Sequence, residues 1–171
     1  LSSIVPLGTH PRWSWQYLRV QIRTDVLENA GQWLAGTLFW PMWLRLAGMR
    51  IGRDCEVSTV LDVLPEHVEL GAGTFLADGI YLGVPWQHRG RVTVAKTVLG
   101  ERTFVGNHSV IPAGERLPDG LLLGVCTVSD ARTMRADTSW FVLPAFELPR
   151  RERSEEHTSA LQSHSDLVCR L

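Results

Sequence analysis

From Leu99 to Leu123 an aliphatic residue returns at every sixth position: Leu99, Val105, Ile111, Leu117 and Leu123. The residue after most of them is small or kinked (Gly100, Gly106, Pro112, Gly124), and a small hydroxyl stands four places after the first two (Thr103, Ser109). A helix would repeat at about 3.6 residues and a strand at about 2. A six-residue step with a turn in each step instead predicts short strands laid along the faces of a prism, a parallel β-helix. The same frame upstream takes in Ile51, Val57 and Val63 and, after a one-residue slip, Leu70, Leu76 and Leu82. Gly52, Ser58, Gly71, Ala77 and Gly83 follow these anchors, and Cys55, Thr74 and Ile80 stand four residues on. Such a coil places the anchors in a narrow interior and stacks each rung on the next through parallel ladder bonds. The competing reading is an irregular β-sandwich with glycine turns.

Outside the frame the pattern changes. Residues 6–30 open with a Pro/Gly loop and then place Tyr17, Val20, Ile22 and Leu27 in a partial helical stripe, which predicts a helix. Residues 36–52 lead into the first coil, with Leu44, Leu46 and Met49 apolar and Gly48 a helix stop. Five of the seven tryptophans (Trp13, Trp15, Trp33, Trp40, Trp43) precede the coil. They are read as aromatic packing over the open first coil in preference to a membrane-interface belt, because a β-helix end exposes strand edges and apolar interior.

Between Leu82 and Leu99 the frame breaks, and Pro85, Trp86, His88, Arg89 and Arg91 are wrong for a coil interior, so residues 84–92 are expected as an extruded loop. The organisation expected is therefore a helical lead-in and cap over 1–50, a β-helix over 51–130, and a tail over 131–152 that packs back on the coil. Residues 153–171 drop the frame. Residues 153–164 resemble the translation of a sequencing-library adapter apart from Ala160, and this end is set aside as read-through without order of its own, against the alternative of a short amphipathic helix.

Composition narrows the function. The chain has 171 residues, 44% of them hydrophobic, enough for one domain with a core. A formal net charge of −1 with scattered basic residues gives no case for nucleic acid. Cys55, Cys126 and Cys169 have neither metal nor disulfide spacing, which fits a reducing compartment and leaves no metal site expected. The chain begins at Leu1 without a signal peptide and reads as a fragment. Its longest apolar stretch, Trp33 to Leu44, is short of the roughly 20 residues a bilayer span needs.

Several stretches together carry a resemblance: Gly36-Thr37, the aromatic segment before Leu44-Arg45, Gly48, Ile51-Gly52, Asp78-Gly79, His88-Arg89-Gly90, Asn107-His108, Ile111-Pro112-Ala113-Gly114, and Ser139-Trp140-Phe141 through Phe146-Glu147-Leu148-Pro149. Over residues 6–152 the chain resembles hexapeptide-repeat acyltransferases of the trimeric LpxA-like superfamily. Within them it is most similar to the terminal domains of nonribosomal-peptide-synthetase-like proteins of the poly-lysine-synthetase type. The resemblance implies an all-β, left-handed parallel β-helix with an N-terminal helical cap; the handedness comes from the resemblance alone. It also implies a homotrimer with sites between subunits, and a coenzyme A or carrier-protein phosphopantetheine thioester as acyl donor. An amine or hydroxyl would be the acceptor. A cytoplasmic location, extending to the inner face of the plasma membrane through parent domains, goes with it.

On that resemblance His88 is the first candidate for general base, since an imidazole, titrating near about 6.5 when unperturbed, can take a proton from an acceptor attacking a thioester. A glycine-turn N–H would hold the oxyanion. Arg89 and Arg91 suit the donor's phosphates, and Trp86 belongs to the same loop. Asn107 and His108 in the best-formed coil, and Asp78 at a coil corner, are candidates for binding the acceptor, with His108 a second choice for the base. A noncatalytic trimerising or capping domain of a larger protein is the alternative function.

Overall fold

A computed structural model describes residues 4–141 and 146–149. Short strands stack in three parallel sheets that form the faces of a prism. One face is built from Arg50–Ile51, Val68–Leu70, Thr97–Leu99 and Arg116–Leu117. The second is built from Glu56–Val57, Phe75–Leu76, Phe104–Val105, Leu122–Leu123 and Ser139–Phe141. The third holds Val60–Leu61, Ile80–Val84 and Val110–Pro112, extended by a bridge from Val110 to Val128. Ladder partners stand one full turn apart: Leu99 faces Leu117 and Val105 faces Leu123, three six-residue steps on.

The anchors fill the interior. Leu76, Leu82, Val105, Ile111 and Leu123 are each 0% exposed, and Ile51, on the first rung, is partly buried against the same cluster. The hydroxyls among them are satisfied at the turns: Thr103 Oγ1 donates to Gly100 O at 2.9 Å and Ser109 Oγ to Gly124 O at 2.8 Å. A small residue follows most of the anchors because the next coil passes there. A Cβ on Gly71 would stand 2.5 Å from the backbone nitrogen of Glu101, and one on Gly106 would stand 2.8 Å from the carbonyl carbon of Gly124. Gly71→Ala must push two rungs apart and should cost about 1–3 kcal/mol, the usual scale of overpacking. A fall in Tm without loss of the folded far-ultraviolet signal would record it, and an unchanged Tm would contradict this close approach.

Helix α1 (Trp15–Leu34) starts at Ser14, whose Oγ accepts from the amide of Tyr17 at 3.2 Å. Helix α2 (Phe39–Leu46) ends before Gly48, which takes φ 109° as the amide of Met49 returns to Leu44 O at 3.0 Å. Leu27 of α1 and Trp40 and Leu44 of α2 join the same apolar cluster as Met49, Val57 and Val60 of the first coil. Gly31 gives Trp40 room to lie against α1.

The tryptophan expectation holds for Trp40 and fails for its neighbours. Trp13, ahead of α1, is 96% exposed, and Trp33 is 84% exposed because the inward side of α1 is made by Val20, Thr24, Leu27 and Gly31. The lead-in also contains a strand the sequence reading treated as loop, Gly8–Pro11. The tail adds Ser139–Phe141 in parallel to the second face and then Phe146–Leu148 antiparallel to it. The reading of residues 153–171 lies outside the described residues, as does Cys169.

Candidate functional site

The break in the frame is a β-hairpin. Trp86–His88 and Arg91–Val94 pair antiparallel, His88 opposite Arg91, through a two-residue turn in which Arg89 has φ 45° and Gly90 φ 72°. Two successive positive φ values are the hairpin turn that matches strand twist, and glycine fits its second position without strain. The other edge of Arg91–Val94 is taken by Gly8–Pro11, in register from Gly8 opposite Val94 to Pro11 opposite Arg91. The amide of Arg12 then donates to Gly90 O at 2.7 Å. Val92 and Val94 are buried with Val5, Val20 and Leu64, so the hairpin is fastened on its inner side while its tip stands clear.

At the tip, His88, Arg89, Gly90 and Arg91 join Arg12, Tyr17 and Gln87 around a cleft of about 210 Å³. Its lining includes three arginines and a histidine and, among the described residues, no aspartate or glutamate. Tyr17 Oη donates to Gln87 Oε1 at 3.2 Å, tying the first turn of α1 to the hairpin. The ring of His88 stacks on Trp86, with centroids 5.2 Å apart and planes within 3°. That stack fixes the plane of the imidazole; neither ring nitrogen has a hydrogen-bond partner among the described residues.

The other predicted site residues gather elsewhere, at a corner of the coil. Asp78 Oδ1 accepts from the hydroxyls of Ser58 and of Thr59, the latter at 2.9 Å. The amide of Asp78 donates to Asn107 Oδ1 at 3.2 Å, and the amide of His108 donates to Asp78 O at 3.0 Å. His108 takes φ 56°, the corner conformation that Gly79 and Cys126 adopt in the coils beside it. Its ring lies over Gly79, where a Cβ would come within 2.6 Å of Nδ1. Asp78, Asn107 and His108 are all exposed.

The hydroxyls of Ser58 and Thr59 hold the Asp78 carboxyl below the usual carboxylate range, with a smaller contribution from the charge of His108. A lowered folded-state pKa adds stability above the unfolded value, near about 3.9, and that stability is lost as pH falls through the folded value. Asp78→Asn should therefore leave a shallower loss of stability below pH about 4, followed by urea midpoints across the acid range. An identical acid slope in the variant would contradict this contribution.

The hairpin thus brings together Trp86, His88, Arg89 and Arg91, but Asp78, Asn107 and His108 stand at the opposite end of the Ile80–Val84 strand. That strand is about 13 Å long at the usual rise. Nothing in the sequence marks Arg12, Tyr17 and Gln87 at the cleft, or Ser58 and Thr59 at the corner, as site residues. Arg12 and Tyr17 reach the cleft by a non-local strand pairing for which the sequence carries no pattern. Among the described residues no group of three or more His, Cys, Asp or Glu could hold a metal ion.

No protein-family model matches the chain. It is 35% identical over 169 residues to a delta-poly-L-ornithine synthetase of Acinetobacter baumannii (strain AB307-0294), a match covering 96% of this chain and 13% of that protein. Among solved structures it is similar to a hexapeptide-repeat-containing acetyltransferase of Vibrio cholerae, at TM-score 0.54 and 12% identity, over 78% of this chain and 93% of the other. A maltose O-acetyltransferase of Clostridium difficile 630 aligns at TM-score 0.49 and 11% identity, over 79% of this chain and 89% of that one. The likeness to the Vibrio protein, together with the three parallel faces, identifies the fold as that of hexapeptide-repeat proteins.

Proposed function

We propose that this chain is an acyltransferase domain that works as the terminal part of a larger nonribosomal-peptide-synthetase-like protein. It would move an acyl or aminoacyl group from a coenzyme A or carrier-protein thioester to an amine or hydroxyl. The observation that carries the reading is the fastened hairpin with His88 and three arginines around one cleft on a hexapeptide-repeat scaffold. The relative's name, a synthetase of an ornithine polymer, supports an amine acceptor and an aminoacyl donor. The helices that add Leu27, Trp40 and Leu44 to the first coil serve as its cap, and the coil is left-handed as in the proteins it resembles.

In this reading the acceptor nitrogen attacks the thioester carbonyl while His88 takes its proton. The carbon–sulfur bond then breaks, and the thiolate leaves with the proton that His88 returns. Arg12, Arg89 and Arg91 hold the donor's phosphates through charge-assisted hydrogen bonds. The separation of the hairpin from Asp78, Asn107 and His108 within one chain favours a homotrimer, in which one subunit's corner would meet another's hairpin and bind the acceptor. The working location would be the cytoplasm, at the inner face of the membrane where the parent protein is held there.

Arg89→Ala should raise KM for the donor by about tenfold with kcat little changed, since a phosphate contact serves ground state and transition state alike. Steady-state kinetics with a coenzyme A thioester, product followed by mass, checks it. The decisive experiment supplies aminoacyl and acyl thioesters of coenzyme A and of a carrier protein together with amine acceptors. Transfer above the uncatalysed rate supports the enzyme. Its absence with every donor favours the second reading, a trimerising or capping domain, which is also supported by the absence, among the described residues, of a hydrogen-bond partner on either ring nitrogen of His88.

A further inference from the structure

The one-residue slip in the six-residue frame, between Val63 and Leu70, is taken up by a 3₁₀ turn, Pro65–His67. The turn carries two polar side chains with little access to solvent: that of Glu66 is 6% exposed, and His67 is 8% exposed. Burying such groups is costly unless they are bonded. Both are bonded to one residue of the lead-in. His67 Nε2 lies 2.7 Å from Val5 O, and since a carbonyl only accepts, that nitrogen is the donor. Glu66 Oε1 accepts the Val5 amide at 3.4 Å and pairs with Arg23 of α1.

Val5 is where the lead-in can be gripped. Among residues 4–12 it alone is buried, in a cluster with Val20, Leu64, Val92 and Val94. A buried backbone N–H and C=O both need partners, and Glu66 and His67 supply them. The strand that follows, Gly8–Pro11, contains no buried residue, so ladder bonds and this one anchor keep it on Arg91–Val94. At the far end of the strand the Arg12 amide donates to Gly90 O, and Arg12 lines the cleft.

We propose that His67 is a positioning residue for the hairpin cleft: by holding Val5 it seats Gly8–Pro11 on the hairpin and thereby fixes Arg12 at the cleft. Its effect on a ligand rests on the reading of the cleft as the donor's phosphate site; the seating of the strand does not.

The 171-residue chain is compared with His67→Leu, which cannot donate, and with His67→Gln, whose amide nitrogen reaches about as far as Nε2. Trypsin cleavage after Arg12, followed by mass, should be at least about fivefold faster in His67→Leu, the effect of leaving one buried carbonyl unpartnered. It should return near the parental rate in His67→Gln. Cleavage after Arg116, on the coil, should stay at the parental rate in both. Titration with coenzyme A should show Kd raised about tenfold by Arg12→Ala. His67→Leu should raise it as well, and the double variant should bind no more weakly than Arg12→Ala alone, because the histidine acts through the arginine. Should His67→Leu fail to fold by circular dichroism, Val5→Asp takes its place, since it breaks the same clasp from the lead-in, outside the coil. The proposal is overturned if cleavage after Arg12 is not hastened, if His67→Gln does not restore it, or if cleavage after Arg116 rises in step, which would mean a general loss of stability. It is also overturned if the parent binds coenzyme A and His67→Leu binds it as well, or if the losses in the double variant add. A parent that binds no coenzyme A counts against the donor reading alone, and the cleavage rates then decide the seating of Arg12.

Discussion

His88→Ala lowers acyl transfer by about 10²–10⁴-fold, the usual contribution of a positioned general base, while fold and donor affinity stay near those of the parent. The expectation of an intact fold rests on position: His88 is exposed on the hairpin tip, and its contact is the stack on Trp86. Val92 and Val94, which hold the hairpin to α1, are untouched by the change. The parent's rate should rise with pH along a limb that the variant lacks, because only the neutral ring accepts a proton. Single-turnover kinetics with a thioester donor, product followed by mass, separates the chemical step from binding. Turnover of the variant at the parental rate would remove His88 from the base's role, and His108→Ala would be the next variant to measure.

Val105→Asp leaves no folded protein. The valine is 0% exposed between Leu76 and Leu123 of the neighbouring coils, so its replacement puts a carboxylate where no partner waits. An unpaired buried charge costs several kcal/mol, against a total stability of about 5–15 kcal/mol for a domain. The preceding residue gives the contrast. Phe104 is 41% exposed and stacks on Phe75 with centroids 5.0 Å apart. Phe104→Asp loses that stack, about 0.5–1.5 kcal/mol, and should still unfold cooperatively. Urea melts of the two variants distinguish the faces, and equal damage at both would mean that the inside and outside of this rung have been misassigned.

The interior was legible in the sequence because every rung repeats one environment. The slot taken by Leu76 is taken again by Val105 and Leu123, with the same neighbours above and below, so a single residue class recurs at fixed spacing. The frame break at residues 83–98 was legible for the converse reason: Pro85, Trp86, His88 and Arg91 cannot occupy such a slot. The shape the break takes was less so. An Arg-Gly pair is a weak hairpin signal beside Asn-Gly or Asp-Gly, and the strand that completes the sheet, Gly8–Pro11, lies far upstream with no alternation to announce it. The tryptophans divide by geometry. Trp40 and Trp33 are alike in composition and close in sequence, yet Trp40 meets Gly31 and the first coil while Trp33 stands in solvent. The residues of the candidate site were legible by type alone. That His88 shares a cleft with Arg12, and that His108 does not, follows from which coil corner or hairpin tip carries each.

The pairing of Gly8–Pro11 with Arg91–Val94 has a mechanical consequence. A two-stranded hairpin by itself is marginal in water, so the persistence of this one is borrowed from a third strand that leads directly into α1. Tension applied to the chain ahead of α1 would therefore load the ladder holding the cleft before it reached the coil. Amide protons of Val92 and Val94 would exchange with solvent on the timescale of that strand's detachment, while those of Val105 and Ile111 would wait for the whole prism to open.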